Sequence, residues 1–336
     1  MPRITHSEHR SIACHTPGKT TTAAGLLGLG LILTSLMSAG LSAAEPEVIP
    51  LSPALRDRCV DTLRRAVVGS ADGPNHFWPA MHAAEALTLA GQGGEVVVLL
   101  RAQLPTEMDA QRRCGLAREL YRAGDRDTLP LLFETLGTVE SKGRVHAAES
   151  LYKINQTGDG MLLKAAIAQV ELPALRLMAA AALARQGDEL ALQIIRQSLL
   201  QPDRDQQRLA AWILAMLGSE QDLPALNKVL AEEQQELQRA YLIHALACLG
   251  DEPARKLMAE EFKSTDVTVR TFVAEFAGYC RATEYVPQLI AQLADKEIDP
   301  RVRAAQSLIV LGSPPTLLDL PRSRYPLQSG NAPSKK

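Results

Sequence analysis

Aromatic residues make up only 4% of this 336-residue chain, which argues against a sheet-built core, since strands draw heavily on Tyr, Phe and Trp. Several chemical signatures are missing as well. There is no Gly-x-Ser-x-Gly elbow, no phosphate-binding glycine loop and no Cys-x-x-Cys pair, so acyl transfer, nucleotide chemistry and dithiol or zinc chemistry lose their usual marks. A basic surplus is lacking too. The whole chain carries 36 basic and 38 acidic residues, and leaving out residues 1–44, with three basic residues and one acidic, makes the remainder mildly acidic. Nucleic acid and anionic membrane are poor partners for such a surface. Only one long apolar run exists, and it lies near the start.

That run, from Ala24 to Ala39, follows the basic residues Arg3, Arg10 and Lys19 and precedes the small residues Ser42, Ala43 and Ala44. The pattern predicts an export signal over residues 1–44, and with it a periplasmic or secreted mature chain that inserts in no membrane. Cys14 precedes the run, so it is not the lipidated cysteine of a lipoprotein signal. Cys59, Cys114, Cys248 and Cys280 remain, without the even spacing of a disulfide framework, and are expected as buried thiols, with one bridge conceivable after export.

What the chain has in abundance is repetition. Ala83-Ala84-Glu85-Ala86-Leu87 aligns with Ala147-Ala148-Glu149-Ser150-Leu151, with Ala179 through Leu183 and with Ala304 through Leu308. Helix-stopping positions follow at Gly91, Gly124, Asn155, Gly187, Gly218, Gly250, Arg281 and Gly312, always 31 to 33 residues apart. Gly and Asn accept the left-handed conformation that ends a helix, and a looser turn is expected at Arg281. Pro130, Pro224 and Pro287 open a second helix in the same register, where a first helical turn tolerates proline. Each unit is thus two helices and two turns.

A basic residue recurs eleven positions before the stop, as Arg113, Arg144, Arg176, Arg239, Arg270 and Arg301. The pattern Arg-x-x-Ala-Ala-x-x-Leu-x-x-x-Gly, seen from Arg176 to Gly187, resembles the HEAT-like repeat of the phycobilin-lyase type, and the resemblance covers residues 78–318. It implies an all-α, right-handed alpha-alpha superhelix of about eight helical pairs. Within the family such arrays serve as scaffolds, chromophore-lyase subunits and, in one branch, a metal hydroxylase. Residues 45–77 read as an N-terminal capping helix and loop, and 319–336 as a disordered basic tail.

On a helical wheel that counts the arginine as position 2, positions 5, 6, 9 and 12 form the core stripe, while 4, 7 and 11 face the concave side. The outward columns hold Arg118 and Arg122 in the second unit, Met178 in the fourth, Leu209, Trp212 and Met216 in the fifth, Tyr241 and His244 in the sixth, and Phe272 and Tyr279 in the seventh. These ten are the expected partner-binding residues, with Trp212, Tyr241, Phe272 and Tyr279 as anchors. The function expected from them is non-catalytic binding of a protein or peptide in an open groove, with no catalytic, cofactor or metal residue. The alternative is a metal-assisted or oxidoreductase-type enzyme, or a lyase-like ligand-binding subunit. It rests on two His-x-x-Glu pairs, His82/Glu85 and His146/Glu149, which spacing places on single helix faces. Hydroxylases of this repeat class carry adjacent His-Glu dipeptides, and the repeat array here has none.

Overall fold

The computed structural model describes residues 48–69 and 76–318. The expected export signal and basic tail lie outside the described residues.

Sixteen α-helices and a few 3-10 turns account for the regular structure there, and no strand is present among the described residues. They form eight pairs. The first four are α1 (Pro53–Val68) with α2 (Phe77–Leu89), α3 (Gly93–Arg101) with α4 (Ala110–Arg122), α5 (Leu129–Gly137) with α6 (Arg144–Lys153), and α7 (Met161–Ile167) with α8 (Pro173–Arg185). The last four are α9 (Glu189–Leu199) with α10 (Arg204–Leu217), α11 (Leu223–Glu232) with α12 (Glu236–Cys248), α13 (Glu252–Glu261) with α14 (Val267–Tyr279), and α15 (Val286–Gln292) with α16 (Ile298–Leu311). The protein is therefore a HEAT-like helical-repeat array of eight pairs.

Local chemistry explains the boundaries. Asp109, Asp203 and Asp266 cap α4, α10 and α14, and Asp188 and Asp251 cap α9 and α13, each accepting a hydrogen bond from the first-turn backbone. Such a cap contributes about 1 kcal/mol. Pro130, Pro224 and Pro287 all sit in the first turn of their helices. The stop positions Gly91, Gly124, Asn155, Gly187 and Gly250 have positive φ, and so does Arg281 at 50°. The looser turn expected at Arg281 is corrected: its guanidinium donates to the carbonyls of Val310, Leu311 and Ser313, which holds the residue in the conformation glycine adopts elsewhere. Gly218 and Gly312 are the reverse case, ending their helices at negative φ.

The even-numbered helices form the inner layer, and their paired alanines are fully buried, as at Ala83 and Ala84 or Ala304 and Ala305. The leucine seam includes Leu87, Leu120, Leu151, Leu214, Leu246 and Leu308, all at 0% exposure. Each buried leucine contributes on the order of 1.5–3 kcal/mol. The arginine column fastens the turns: Arg239 donates to the carbonyls of Leu230 and Glu233, and Arg301 to those of Asp295 and Lys296. Arg144 and Arg270 also reach forward, to Gln169 and Asp295 of the next unit.

The array does not stay open. Each inner helix packs on the next, and α16 packs on α2 and α1, so the eight inner helices complete a ring. The Ile49 N–H donates to the Leu311 carbonyl at 3.0 Å across that last seam. Helix α1 consequently does not cover a free apolar edge. It is the outer partner of α2 and also seals the first repeat against the last.

Two of the four cysteines expected as free thiols are joined: Cys248, ending α12, is bonded to Cys280, which follows α14. Cys59 and Cys114 are free and buried. No described helix is long and apolar enough to cross a membrane.

Candidate functional site

Ring closure turns the three outward columns into the lining of a lumen. Position 4 of the inner helices faces a wide chamber of about 750 Å³, through His82, His146, Met178, Leu209, Tyr241, Phe272 and Arg303. Position 11 faces a narrow chamber of about 250 Å³, through Leu89, Arg122, Lys153, Arg185, Met216 and Tyr279. Position 7 forms a waist between them, where Glu149 and Glu275 face the wide chamber, Glu85 the narrow one and Trp212 both, while Arg118 and His244 are buried and line neither. Lys153 and Trp212 line both chambers.

The waist is an alternating chain of buried charges. The Arg303 guanidinium, 2% exposed, reaches Glu275 at 3.0 Å on one side and Glu85 at 3.4 Å on the other, and donates to the Gln306 side chain at 2.6 Å. Glu85 continues to Arg122 at 3.3 Å, Arg122 to Glu119, and Glu119 to Arg118 at 2.6 Å. Burying one ion costs several kcal/mol, so the chain is tolerable only because each member has a counter-ion. Burial alone would raise the Glu85 carboxyl, but Arg122, Arg303, Lys153 and Arg118 outweigh it and hold it far below the carboxylate range. Glu149 behaves alike: burial opposes ionisation, Lys153 and Arg118 overcome it, and its pKa falls to about 2. Two atoms in this chain have no partner among the described residues, Oε2 of Glu275 and Nε of Arg303, although both residues are over nine-tenths buried.

The wide chamber adds two histidines. His82 Nδ1 lies 2.8 Å from Asp299 Oδ1, across the seam between α2 and α16. His146 stacks on Trp78 with ring centroids 5.1 Å apart, spanning from α6 to α2 over the intervening α4. That span depends on Gly115: a Cβ there would meet Trp78 at 3.2 Å and Phe77 at 3.3 Å. Burial lowers the His146 pKa and keeps the ring neutral, and its Nδ1 has no partner among the described residues. Tyr241 lies 4.7 Å from Phe272, ring to ring, and burial pushes its phenol upward, so it remains a hydroxyl.

Of the ten residues expected to bind a partner, Met178, Leu209, Trp212, Tyr241 and Phe272 line the wide chamber, and Trp212, Met216, Tyr279 and Arg122 the narrow one. Arg118 is buried against Glu119, and His244, at 0% exposure, is hydrogen-bonded to Glu261 at 2.6 Å. None forms the open apolar stripe expected of them. Met178, Met216 and Tyr241 are at most 9% exposed, because closure folds the concave face inward.

The two His-x-x-Glu pairs are separated by chemistry. Glu85 is committed to two arginines and Glu149 to Lys153 at 2.8 Å, so the lone pairs a metal would need already face cations. No three His, Cys, Asp or Glu side chains gather in metal-binding fashion among the described residues. Asp299, Arg303 and Arg126 were not singled out from the sequence. Arg303 occupies position 4 of the eighth unit, so extending the wheel by one unit finds it.

No protein-family model matches the chain, and no curated protein does. Among solved structures, human deoxyhypusine hydroxylase in complex with glycerol is similar at 19% identity and a TM-score of 0.38, covering 77% of this chain and 97% of that one. The expected non-catalytic scaffold with an open binding groove is corrected at this point, because the anchors assigned to that groove are enclosed in a ring. At that TM-score the likeness lends the chain neither substrate nor metal.

Proposed function

We propose that the wide chamber is an acid–base site for a small polar molecule, with His82 as the proton-accepting group. The observation that carries this reading is the contact of His82, on the chamber wall, with Asp299, which does not itself line the chamber. A carboxylate on Nδ1 selects the tautomer in which Nε2 is the acceptor, and it stabilises the imidazolium formed on proton transfer. Burial would raise Asp299, but His82 and Arg303 hold it below the usual range, so it stays an anion. The unpartnered Glu275 Oε2 and Arg303 Nε offer a further acceptor and donor, and buried titratable groups gathered in one concavity are a mark of functional sites. A thiol nucleophile has no place here, because burial raises both Cys59 and Cys114 to about 11.

The pair also joins α2 to α16, so the test must separate chemistry from closure. Histidine-labelled protein titrated by NMR with amino acids, sugars and small carboxylic acids is expected to show one class moving the His82 and His146 ring signals. Glu275→Gln should abolish that response while the protein still melts cooperatively. If no class moves either ring, or if the response survives Glu275→Gln, the reading fails.

Export is proposed on the same footing. The Cys248–Cys280 bond is of a kind that oxidising compartments sustain, and it accords with the signal-like start of the chain. The repeat is proposed to be of the phycobilin-lyase type on the motif from Arg176 to Gly187, and the near-neutral charge supports a role without nucleic acid.

A further inference from the structure

We propose that the narrow chamber is a second, independent binding site, for a small molecule that carries a carboxylate or phosphate on a flat apolar body. Four cations line it, Arg122, Arg126, Lys153 and Arg185, with one carboxylate in the lining, Glu85; Glu119 and Glu149 behind it pair with Arg122 and Lys153, so the excess of positive charge rests chiefly on Arg126. Glu85 is already divided between Arg122 and Arg303. A concavity of low dielectric lined by one sign of charge concentrates the opposite ion.

Three of the four cations lie over aromatic rings. The Arg126 guanidinium lies 4.2 Å over the Tyr121 ring and meets no carboxylate among the described residues. Lys153 lies 5.3 Å over Trp212. Arg185 lies 5.8 Å over Tyr152 and donates to the carbonyls of Tyr152 and Lys153. A guanidinium stacked by its face leaves its N–H edge for a planar or tetrahedral oxyanion. The inner helices end at this mouth, and their C-termini carry partial negative charge, which offsets part of the field and accounts for some of the cations. It does not account for Arg126, which lies outside the helices in the turn after α4.

The apolar half follows from the walls and the volume. Leu89, Ile154, Met216, Leu217, Tyr279 and Leu317 complete the lining. An enclosed cavity of roughly 150 Å³ already holds benzene, so about 250 Å³ accommodates one aromatic ring and its acid group.

Isothermal titration of the full chain with phenyl phosphate, benzoate and inorganic phosphate, at low and high salt, tests the proposal. Phenyl phosphate or benzoate should bind more tightly than inorganic phosphate, weaken with salt, and lose at least tenfold in affinity in Arg126→Gln. Lys296→Gln, which removes an exposed charge elsewhere, should bind as the parent does. Arg126 is exposed, so its variant is expected to melt with the parent, and the melt is recorded alongside. Three results would each overturn the proposal: no binding of any probe at low salt, equal affinity for inorganic phosphate and the aryl acids, or affinity untouched by Arg126→Gln in a folded protein. Which acid binds more tightly decides between carboxylate and phosphate.

Discussion

The two chambers are built from the same repeat, yet they differ in almost every property that matters to a ligand. The wide one, at the start of the inner helices, combines an aliphatic and aromatic wall with carboxylates and two histidines. The narrow one, at their ends, combines tyrosines with arginine and lysine. The repeat framework is blind to this difference, since positions 4 and 11 both face the lumen. Helix direction is not blind to it: inner helices that all run one way give one mouth their N-termini and the other their C-termini, and cations are stable at C-termini.

The charged waist lies between the chambers, and the largest expected effect comes from breaking it. Arg303→Met preserves volume but leaves Glu85 and Glu275 short of a counter-ion, which should cost about 3–5 kcal/mol in urea unfolding. A loss under about 1 kcal/mol would show that the network does not hold the waist together. The disulfide comes next. Its cysteines are 32 residues apart and lie at the ends of α12 and α14, on the narrow side. Cys248→Ser with Cys280→Ser should cost about 3–4 kcal/mol. Hydrogen exchange should then quicken at the ends of α12 and α14 before it does around His82 and His146, and equal quickening would erase the distinction between the mouths.

A smaller effect is expected on the wide side from Gly115→Ala. The added methyl must push Trp78 and Phe77 aside, costing about 1–3 kcal/mol and displacing the His146 ring signal, while aryl-acid binding at the narrow side stays unchanged. The smallest is a pH response. Because burial lowers the His146 pKa, the unfolded chain takes up a proton near 6.5 that the folded chain refuses, so stability declines as pH falls below about 6.5. His146→Phe should flatten that slope. Glu149, with its pKa lowered to about 2, contributes stability that is complete above about pH 4.5 and lost only as pH falls towards 2, so the two windows are separable. The narrow chamber's arginines do not titrate in either window.

Much of this could be read from residue spacing, because each feature concerned is local. The 31-to-33-residue stops, the first-turn prolines and the alanine–leucine seam each depend on one helix or one turn, and the wheel separated lumen from core except at Arg118 and His244, which are buried. Closure was not legible. It depends on small rotations between neighbouring repeats summing to a full turn, and no single repeat records that sum. The same reason hid Asp299 as the partner of His82, 217 residues earlier, and turned the expected exposed stripe into a buried lining. Arg281 misled through its residue type, since its left-handed turn is held by carbonyls of the next inner helix. The disulfide did leave a trace: its two cysteines stand one repeat apart.

The seam between α16 and α2 makes the number of repeats a matter of arithmetic. An open solenoid can gain or lose a unit and merely change length, since each unit touches only its neighbours. A ring cannot, because seven or nine units with the same rotation would miss their own starting edge. Duplication and deletion of repeats, the usual route by which such arrays evolve, is therefore closed to this one. Changing where the chain begins is a gentler alteration. Since Ile49 and Leu311 already touch, the peptide could be joined there and cut in the exposed turn between residues 201 and 202, ahead of the α10 cap Asp203, with all eight seams intact.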